Sequence, residues 1–337
     1  MFAAARVTLK QHRFEVGAGA LAAIILGVSA LVIEYRLRAL NVPPDCIDNF
    51  LGKIDGTGVA AACTGPMRAW AEIIGVEGGL IFGVMKYLPF AIGLLGGVPI
   101  VARELEARTA QTAWSLSGSR LRWLLRQMAP ILILLGVSVT FAALAASVLQ
   151  ASNVAWGGFA YFDLGLHGPL VVARAFGAFG LGLLIGALLG RTLPAFVLGG
   201  ALSLAIVFAV GNVQDAWLRG LDPIIIYETS FEDAEPIVDP LARVVQSGWG
   251  WRAPDGVQLS FAEGLARVPR EVFERDDPVQ YPESTAWLHG QGYKSLALGV
   301  TDEIAMGWAP YDALVYSLVG AASVAGAIVV VNRRRPT

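Results

Sequence analysis

The sequence has little charge and few of the residues that build metal sites. Only 15% of its 337 residues are charged, whereas 55% are hydrophobic, and the mean hydropathy is +0.59. Roughly a quarter of the residues in soluble domains are charged, so the composition argues against a soluble domain and favours a membrane protein. The three histidines, His12, His167 and His289, are scattered without metal-ligand spacing. We therefore expect no metal site.

Several catalytic motifs are also missing. The sequence has no G-x-x-x-x-G-K-[ST] phosphate-binding loop, no H-E-x-x-H motif and no convincing G-x-S-x-G elbow. No basic stripe with interleaved aromatic residues indicates nucleic-acid binding. We therefore expect a chain that is not an enzyme by itself and that has no cofactor of its own.

Six apolar segments are long enough to cross a bilayer, which takes roughly 20 residues per helix. We predict an all-α integral membrane protein with six transmembrane helices and a small extracytoplasmic domain between helices five and six. A cleaved signal peptide is the alternative for the first segment, but no clear small-x-small site follows it. The six segments are Gly17–Ile33, Gly78–Ala102, residues 127–162, Leu170–Gly190, Thr192–Gln214 and Ala313–Asn332.

Basic residues near the span ends predict the orientation. With a cytoplasmic N-terminus, the inside segments hold 12 basic and three acidic residues, whereas Asp215–Glu303 outside holds 16 acidic and seven basic residues. We predict a multi-pass protein of the bacterial plasma membrane with both termini in the cytoplasm. The predicted parts are an interfacial elbow helix at 1–15, helices one to five at 16–213 with an extracytoplasmic loop at 37–77 and a charged cytoplasmic segment at 103–126, an extracytoplasmic domain at 214–303, helix six at 304–332 and a tail at 333–337.

The two extracytoplasmic parts carry distinct signals. Cys46 and Cys63 lie in the loop after the first span, where an oxidising compartment favours a disulfide; two unlinked thiols are the alternative if the topology is inverted. In the larger part, the apolar spacing predicts an amphipathic helix at Glu235–Gln246. Ser260 and Glu263 have the spacing of a capping box. This part is either a substrate gate or docking lid, or a structural cap.

Glycines and charges interrupt the apolar spans. Gly182, Gly186 and Gly190 recur at four-residue spacing, which predicts close helix packing. Lys86 and Arg174 are intramembrane charges, and such charges face a partner or a wet cavity, or snorkel to the interface. Acidic residues that offer such a partner are Glu34, Glu72, Glu77 and Asp163.

One charged segment lies between the second and third spans, and it resembles a known family. Pro99–Thr109 reads P-I-V-A-R-E-L-E-A-R-T, and Ala113–Trp123 reads A-W-S-L-S-G-S-R-L-R-W. These are similar to P-[LI]-V-A-R-E-x-E-x-G-T and A-W-[TS]-Q-S-x-[ST]-R-x-R-W in the membrane subunits of type-2 ABC exporters, particularly actinobacterial-style permeases. Lys10–Arg13 and Gly186–Ala195 resemble two further pieces of that family.

The resemblance implies half of an ATP-driven exporter. Two permease chains, identical or related, pair with two cytoplasmic ATPase subunits that bind ATP and Mg²⁺. The segment after span two is then a coupling helix, and residues 2–14 are an elbow helix. Arg108 replaces the usual Gly, Leu116 replaces the common Gln, and the insertion at 215–303 is longer than usual. The implied ATPase-coupling residues are Arg103, Glu104, Glu106, Arg108, Thr109, Trp114, Arg120 and Trp123.

Two other classes of function compete with this interpretation. An ion-gradient-driven secondary transporter would need acidic residues and broken helices near the midplane, which are not evident in the sequence. A membrane-anchored sensor or assembly factor would work through residues 215–303. The sequence leaves the substrate open, since a drug, a peptide or a lipid all suit an apolar cavity.

Overall fold

The structure is a computed structural model that describes residues 8–42, 46, 61–155, 164–221, 223–229, 234–236, 244–277 and 281–334. Most of these residues are helical, and the strands of a small antiparallel sheet come between the last two long helices in the sequence. The helices are α1 Arg13–Ala39, α2 Ala61–Glu72, α3 Gly79–Glu106, α4 Ala110–Ser117, α5 Arg120–Ala155, α6 Pro169–Leu189, α7 Thr192–Arg219, α8 Phe261–Leu265, α9 Arg270–Phe273, α10 Pro282–Gly290, α11 Asp302–Met306 and α12 Ala309–Arg333. The strands are β1 Ile224–Thr229, β2 Ala234–Pro236, β3 Val244–Arg252, β4 Gln258–Ser260 and β5 Lys294–Thr301.

Six helices in the described ranges are long and apolar enough to cross a bilayer, which confirms the six predicted spans. The second begins earlier than the sequence suggested, because α2 continues through a π-helical segment, Ile73–Gly78, into α3. The predicted loop at 37–77 is therefore helical from Ala61 onward. The six candidate spans are Arg13–Ala39, Cys63–Glu106, Arg120–Ser152, Pro169–Leu189, Thr192–Arg219 and Asp302–Arg333.

The chain divides into two compact units, and the first is the membrane unit. It comprises Met1–Ile47, Gly58–Val210 and Trp308–Thr337, and the second unit comprises Asp48–Thr57 and Gly211–Gly307. In the membrane unit, α6 packs against α3 and α12, while α1 packs along α5. Phe179 and Leu183 of α6 are almost completely buried. Helix α6 is thus central to the packing of this unit.

Helix α7 is only thinly packed within the single chain. Small residues, Ala195 and Ser203, are buried on one stripe, where the backbone of Gly199 approaches Leu94 of α3. The opposite stripe is apolar and exposed. Its most exposed members are Leu193, Val197 and Phe208.

The second unit contains a five-stranded sheet of order β2-β1-β5-β3-β4, in which every neighbouring pair is antiparallel. Its core forms around Trp251 of β3 and Leu288 of α10, both almost fully buried. Phe261 of α8 stacks on Trp251 with 6.1 Å between ring centroids. The short helices therefore cover the sheet with aromatic and aliphatic side chains.

One local prediction for this unit is confirmed and another is wrong. Ser260 and Glu263 form the predicted capping box at the start of α8. The predicted helix Glu235–Gln246 is wrong, because β2 begins it and β3 ends it; residues 237–243 lie outside the described residues. Val245 of β3 pairs with Val300 of β5, which satisfies the backbone hydrogen bonds there. Strand pairing therefore determines the conformation despite the helical spacing of the apolar residues.

Candidate functional site

The charged segment between α3 and α5 forms a short helix with a defined start and end. Arg108 stops α3 in the left-handed region with φ of 56°, and Thr109 begins α4. Gly118 ends α4 with φ of 73°. The Ser119 hydroxyl then accepts a hydrogen bond from the Arg122 backbone at 3.2 Å. Gly118 and Ser119 therefore separate α4 from α5.

Helix α4 is attached to the membrane unit by aromatic packing. Ala110 and Trp114, one turn apart, are buried. Trp114 meets Trp123 of α5 edge-to-face, with ring centroids 6.2 Å apart. The Arg120 guanidinium lies over the Trp114 ring at 4.7 Å. These contacts hold α4 against the first turn of α5.

Arginines join the ends of three helices next to α4. Arg120 donates hydrogen bonds to the carbonyl oxygens of Val331 at 3.2 Å, Asn332 at 2.9 Å and Arg334 at 2.7 Å. These oxygens lie at the C-terminal end of α12, where the helix dipole favours a positive charge. Arg334 in turn donates to the carbonyls of Ala187 and Leu188 at the end of α6.

The last turn of α3 binds the N-terminal segment. Residues 8–11 are helical, and His12 separates them from α1. Buried Glu104 accepts hydrogen bonds from the Gln11 amide and the Thr109 hydroxyl. Arg103 pairs with Glu15 at 3.1 Å. The N-terminal segment and the start of α4 therefore share Glu104.

Glu106 connects the same segment to α7. Its carboxylate accepts hydrogen bonds from the Thr192 backbone amide at 3.0 Å and the Thr192 hydroxyl at 2.7 Å. A negative charge at the first turn of a helix interacts favourably with the helix dipole. Glu106 thus acts as a cap for a helix that is distant in sequence.

The eight residues implied by the family resemblance therefore fall into three groups. Glu104, Trp114 and Trp123 are buried, so their side chains face the chain itself and offer a partner no surface in this structure. Arg103, Glu106 and Arg120 contact other helices of the same chain. Arg108 and Thr109 are exposed at the start of α4, and α4 also exposes Gln111, Thr112 and Ser115.

Close packing occurs within the chain at all three of the predicted glycines. A Cβ atom on Gly186 would lie 2.7 Å from the Val98 carbonyl oxygen, and one on Gly182 would lie 3.0 Å from the Val98 side chain. Gly190 ends α6 in the left-handed region with φ of 62°, and a Cβ atom there would lie 3.3 Å from the Leu105 side chain of α3. A second close approach, between Gly180 of α6 and Gly320 of α12, escaped the sequence analysis.

The two intramembrane charges differ in their surroundings. Arg174 pairs with Asp312 of α12 at 3.1 Å, and only 12% and 1% of these side chains are exposed. The sequence analysis missed Asp312 because it placed the sixth span one residue later. Lys86 is exposed, with its amine 5.7 Å from the Tyr87 ring centroid. Snorkelling was therefore the wrong alternative for Arg174.

Two of the acids suggested as partners for Lys86 and Arg174, Glu34 and Glu77, bind elsewhere, and Glu72 is exposed on α2. Glu34 is buried and binds Arg38 and, at 2.8 Å, the Ser152 hydroxyl. Glu77 pairs with Arg36. Asp163 lies outside the described residues. These contacts are corrections that follow from the helix packing, which places Glu34 of α1 beside α5 and Glu77 beside α1.

Cys46 and Cys63 form the predicted disulfide, with their Cα atoms 5.5 Å apart. Met67 and Val42 pack against the buried pair. The bond ties Cys46, seven residues after the end of α1, to α2. Among the described residues, no cluster of His, Cys, Asp or Glu has the arrangement of a metal site.

Apolar cavities lie among the described helices of the membrane unit. A cavity of about 250 Å³ lies among α3, α5 and α6, where Ile92, Leu135 and Phe179 line it. A more open groove of about 500 Å³ lies among α5, α6 and α12. Val172 and Phe176 line both spaces. An apolar molecule is the ligand class that such a lining admits.

Comparison with known proteins identifies one related family. A protein-family model described as ABC-2 membrane transporter related matches residues 20–219. The match runs from within α1 to the end of α7, and it includes α4 and the contacts of Glu106. No curated protein and no solved structure matches the chain significantly.

Proposed function

The chain belongs to the ABC-2 membrane transporter related family, and from this premise we propose that it is the membrane-spanning subunit of an ATP-driven exporter. ATP and Mg²⁺ bind in a separate cytoplasmic ATPase, and α4 is the coupling helix that this ATPase contacts. The observation that carries the proposal is the network around α4, which reaches the elbow, α7 and α12 through side chains of Glu104, Glu106 and Arg120. A helix with those connections is placed to distribute a displacement over the bundle.

The exposed face of α4 is the contact surface in this proposal. Ala110 and Trp114 bind the bundle, which leaves Arg108, Thr112 and Ser115 on the outside. The buried members of the predicted coupling set then position α4. Helix α4 thus has one face fixed to the membrane unit and another face available to a partner, as expected of a helix that transmits a movement.

Movement of α4 would reach the helix ends directly. Arg120 ties α4 to the C-terminal end of α12, and Arg334 ties that end to α6. Glu106 ties the last turn of α3 to the first turn of α7. Alternating access in transporters proceeds by such rigid-body movement of helices. Nucleotide-driven closure of two ATPases thus moves whole spans in this proposal.

A second permease chain completes the transporter, and α7 is the surface we assign to it. The exposed apolar stripe of α7 contains Leu193, Val197 and Phe208, whereas the other face uses small residues to approach α3 and α6. The dimer forms through α7 of each copy, or of a related chain. The family implies this pairing, and the thin packing of α7 within one chain supports it.

The orientation in this proposal places α4 and both termini in the cytoplasm of a bacterial cell. The basic end of the bundle, with Arg103, Arg108 and Arg120, follows the positive-inside rule. The disulfide between Cys46 and Cys63 lies between α1 and α2, toward the opposite membrane face, where the oxidising compartment would be. The acidic second unit is then extracytoplasmic.

Co-purification and coupled ATP hydrolysis test the proposal together. A subunit with a phosphate-binding loop should co-purify with the chain, and Thr112→Arg should abolish that binding and the coupled hydrolysis. Gln258→Arg is the matched control, because it adds the same charge at an exposed position of β4. Undiminished ATPase binding in Thr112→Arg would refute the assigned contact face, and failure to co-purify any ATPase would refute the function.

Cysteine cross-linking tests the dimer. The two native cysteines are joined in the disulfide, so one introduced cysteine provides a single free thiol. Val197→Cys on α7 should give a cross-linked dimer in membranes. Val137→Cys on α5 is the control, because the two valines are 67% and 65% exposed. Equal cross-linking at both positions would show that the contact is not specific to α7.

A further inference from the structure

The exposed face of α5 begins with two arginines. Arg122 and Arg126 are both exposed and lie four residues apart, a spacing that brings the Cβ atoms of helical residues to about 5–6 Å from each other. The same face continues along the helix with Ile133, Val137 and Leu144, which are exposed apolar side chains. Because these spacings follow the helical period, one stripe of α5 passes from two positive charges to an apolar surface.

The arginine pair lies at the depth of the lipid head groups. The candidate span Arg120–Ser152 has 33 residues, so it is about 50 Å long, whereas the hydrocarbon layer of a bilayer is about 30 Å thick. No residue from 127 to 152 is charged. Arg126 is therefore the last charged residue of α5 before the hydrocarbon layer, and its long side chain extends toward the head groups.

No carboxylate neutralises the arginine pair in the part of the chain that the structure describes. The three acidic residues of the inside segments bind other groups, and these are Glu15, Glu104 and Glu106. Two like charges at this spacing on a helix repel each other. An anion bound between the two guanidinium groups would remove that repulsion. Arginine is well suited to this role, because its planar N–H groups match the oxygen atoms of a phosphate.

The residues around the pair are apolar, which restricts the kind of anion. Leu121 and Leu125 are exposed beside the arginines, and the small side chain of Ala129 is exposed on the next turn. A soluble anion would contact the two arginines and leave this apolar surface unused. A ligand that carries a phosphate and hydrocarbon chains matches both parts of the stripe.

We propose that Arg122 and Arg126 together bind the phosphate of an anionic phospholipid, whose acyl chains lie along Ile133 and Val137. The lipid belongs to the leaflet on the side of α4. It neutralises the first turns of α5, to which α4 is attached through Trp123. The site goes beyond the proposed transport function, because it requires neither ATP nor a partner chain, and it is separate from the exposed stripe of α7.

Photolabelling in vesicles tests the site. The probe is phosphatidylglycerol with a diazirine near the top of one acyl chain, added to the full chain in phosphatidylcholine vesicles. Labelling should map to the exposed face of α5, and the double substitution Arg122→Gln with Arg126→Gln should reduce it about thirtyfold. Both side chains are exposed, so the variant should fold. The matching double substitution to lysine keeps both charges and should retain most of the labelling.

A single substitution provides the control for charge. Arg126→Gln should reduce labelling of α5 about fivefold. Arg108→Gln removes the same charge from an exposed position outside α5 and should leave that labelling unchanged. An equal loss in both variants would overturn the site, because it would show a general effect of charge on the membrane surface.

Two further comparisons identify the ligand. A phosphatidylcholine probe with the same diazirine has no net charge and should label α5 much less, and glycerol phosphate in the buffer should not displace phosphatidylglycerol. Phosphatidylglycerol should also raise the melting temperature of the wild-type chain but not that of the double glutamine variant. Equal labelling by the two lipids, displacement by glycerol phosphate, or unchanged labelling in the double glutamine variant would overturn the proposal.

Discussion

Arg120 stacks on Trp114 and also closes the C-terminal end of α12. Its guanidinium carbon lies 4.7 Å from the Trp114 ring centroid, and the same group donates to three carbonyls of the 331–334 segment. A single side chain therefore joins a short surface helix to a helix more than 200 residues away in sequence. The two contacts depend on one position of the guanidinium, so a displacement of α4 alters both.

Arg120→Ala should destabilise the membrane unit by about 2 kcal/mol. It removes a cation–π contact and charge-assisted hydrogen bonds at a helix C-terminus. Thermal unfolding in detergent measures the loss. Arg122→Ala is the control, since that side chain is exposed in the same first turn of α5. Equal melting temperatures for the two variants would contradict the role assigned to Arg120.

Arg108→Gly should stabilise the protein by up to about 1 kcal/mol. Arg108 has a φ of 56°, a conformation that costs a residue with a Cβ atom about 1–2 kcal/mol, and the greater freedom of glycine in the unfolded state offsets part of the gain. Arg108→Ala separates the backbone effect from the loss of charge, because alanine keeps the Cβ atom. A gain as large in Arg108→Ala as in Arg108→Gly would show that charge, rather than backbone conformation, is responsible.

Gly186→Ala should cost about 1–3 kcal/mol, because its new methyl group would lie 2.7 Å from the Val98 carbonyl oxygen. The backbone of α3 or α6 must shift to admit it. Gly200→Ala is the matched control in a neighbouring helix, since nothing lies within 4 Å of its Cβ position. It should be neutral or slightly stabilising. Chemical unfolding of both variants in the same detergent measures the difference, and equal stabilities would argue against close packing at Gly186.

The second unit should lose stability in mild acid through His289. Burial lowers the pKa of His289 from its ordinary value of 6.5, and the backbone contact with Tyr293 opposes that effect only in part. The unfolded chain therefore takes up a proton that the folded chain does not. This stability is fully present above about pH 6.5 and is lost as the pH falls toward the lowered folded pKa.

His289→Asn removes this titration and should flatten the dependence of stability on pH. Tryptophan fluorescence of the full chain follows the unfolding, because Trp251 lies edge-to-face with His289 at 5.7 Å between ring centroids. The free energy of unfolding is compared at matched pH values above and below 6.5. An unchanged slope in His289→Asn would assign the acid sensitivity to other groups.

Local sequence signals predicted the parts of the structure that local physics controls. Apolar runs long enough for a bilayer gave the six spans, because lipid forces the backbone to bond within each helix. The capping box at Ser260 depends on residues within one turn. The disulfide followed from two cysteines that share one compartment. Each of these predictions depends only on residues that are neighbours in the sequence or on the surrounding solvent.

Contacts between segments that are far apart in the sequence could not be predicted from the sequence. Glu106 was expected to face a partner, yet it caps α7 through Thr192, 86 residues later. Arg174 finds Asp312 only because α6 packs on α12. The helix expected at Glu235–Gln246 is replaced at both of its ends by strands, because pairing with distant strands determines their conformation. Such contacts depend on how helices and strands pack, and the local patterns of a single sequence do not predict that packing.

The close approach of Gly180 and Gly320 fixes an order of assembly during biosynthesis. Helix α12 is translated after the whole of the second unit, since the membrane unit resumes at Trp308. Until the ribosome has made α12, one face of α6 lacks its packing partner and the carboxylate that neutralises Arg174 is absent. The helix bundle is therefore completed last. A nascent chain that stalls within the second unit exposes Arg174 without its carboxylate partner to the quality-control machinery of the membrane.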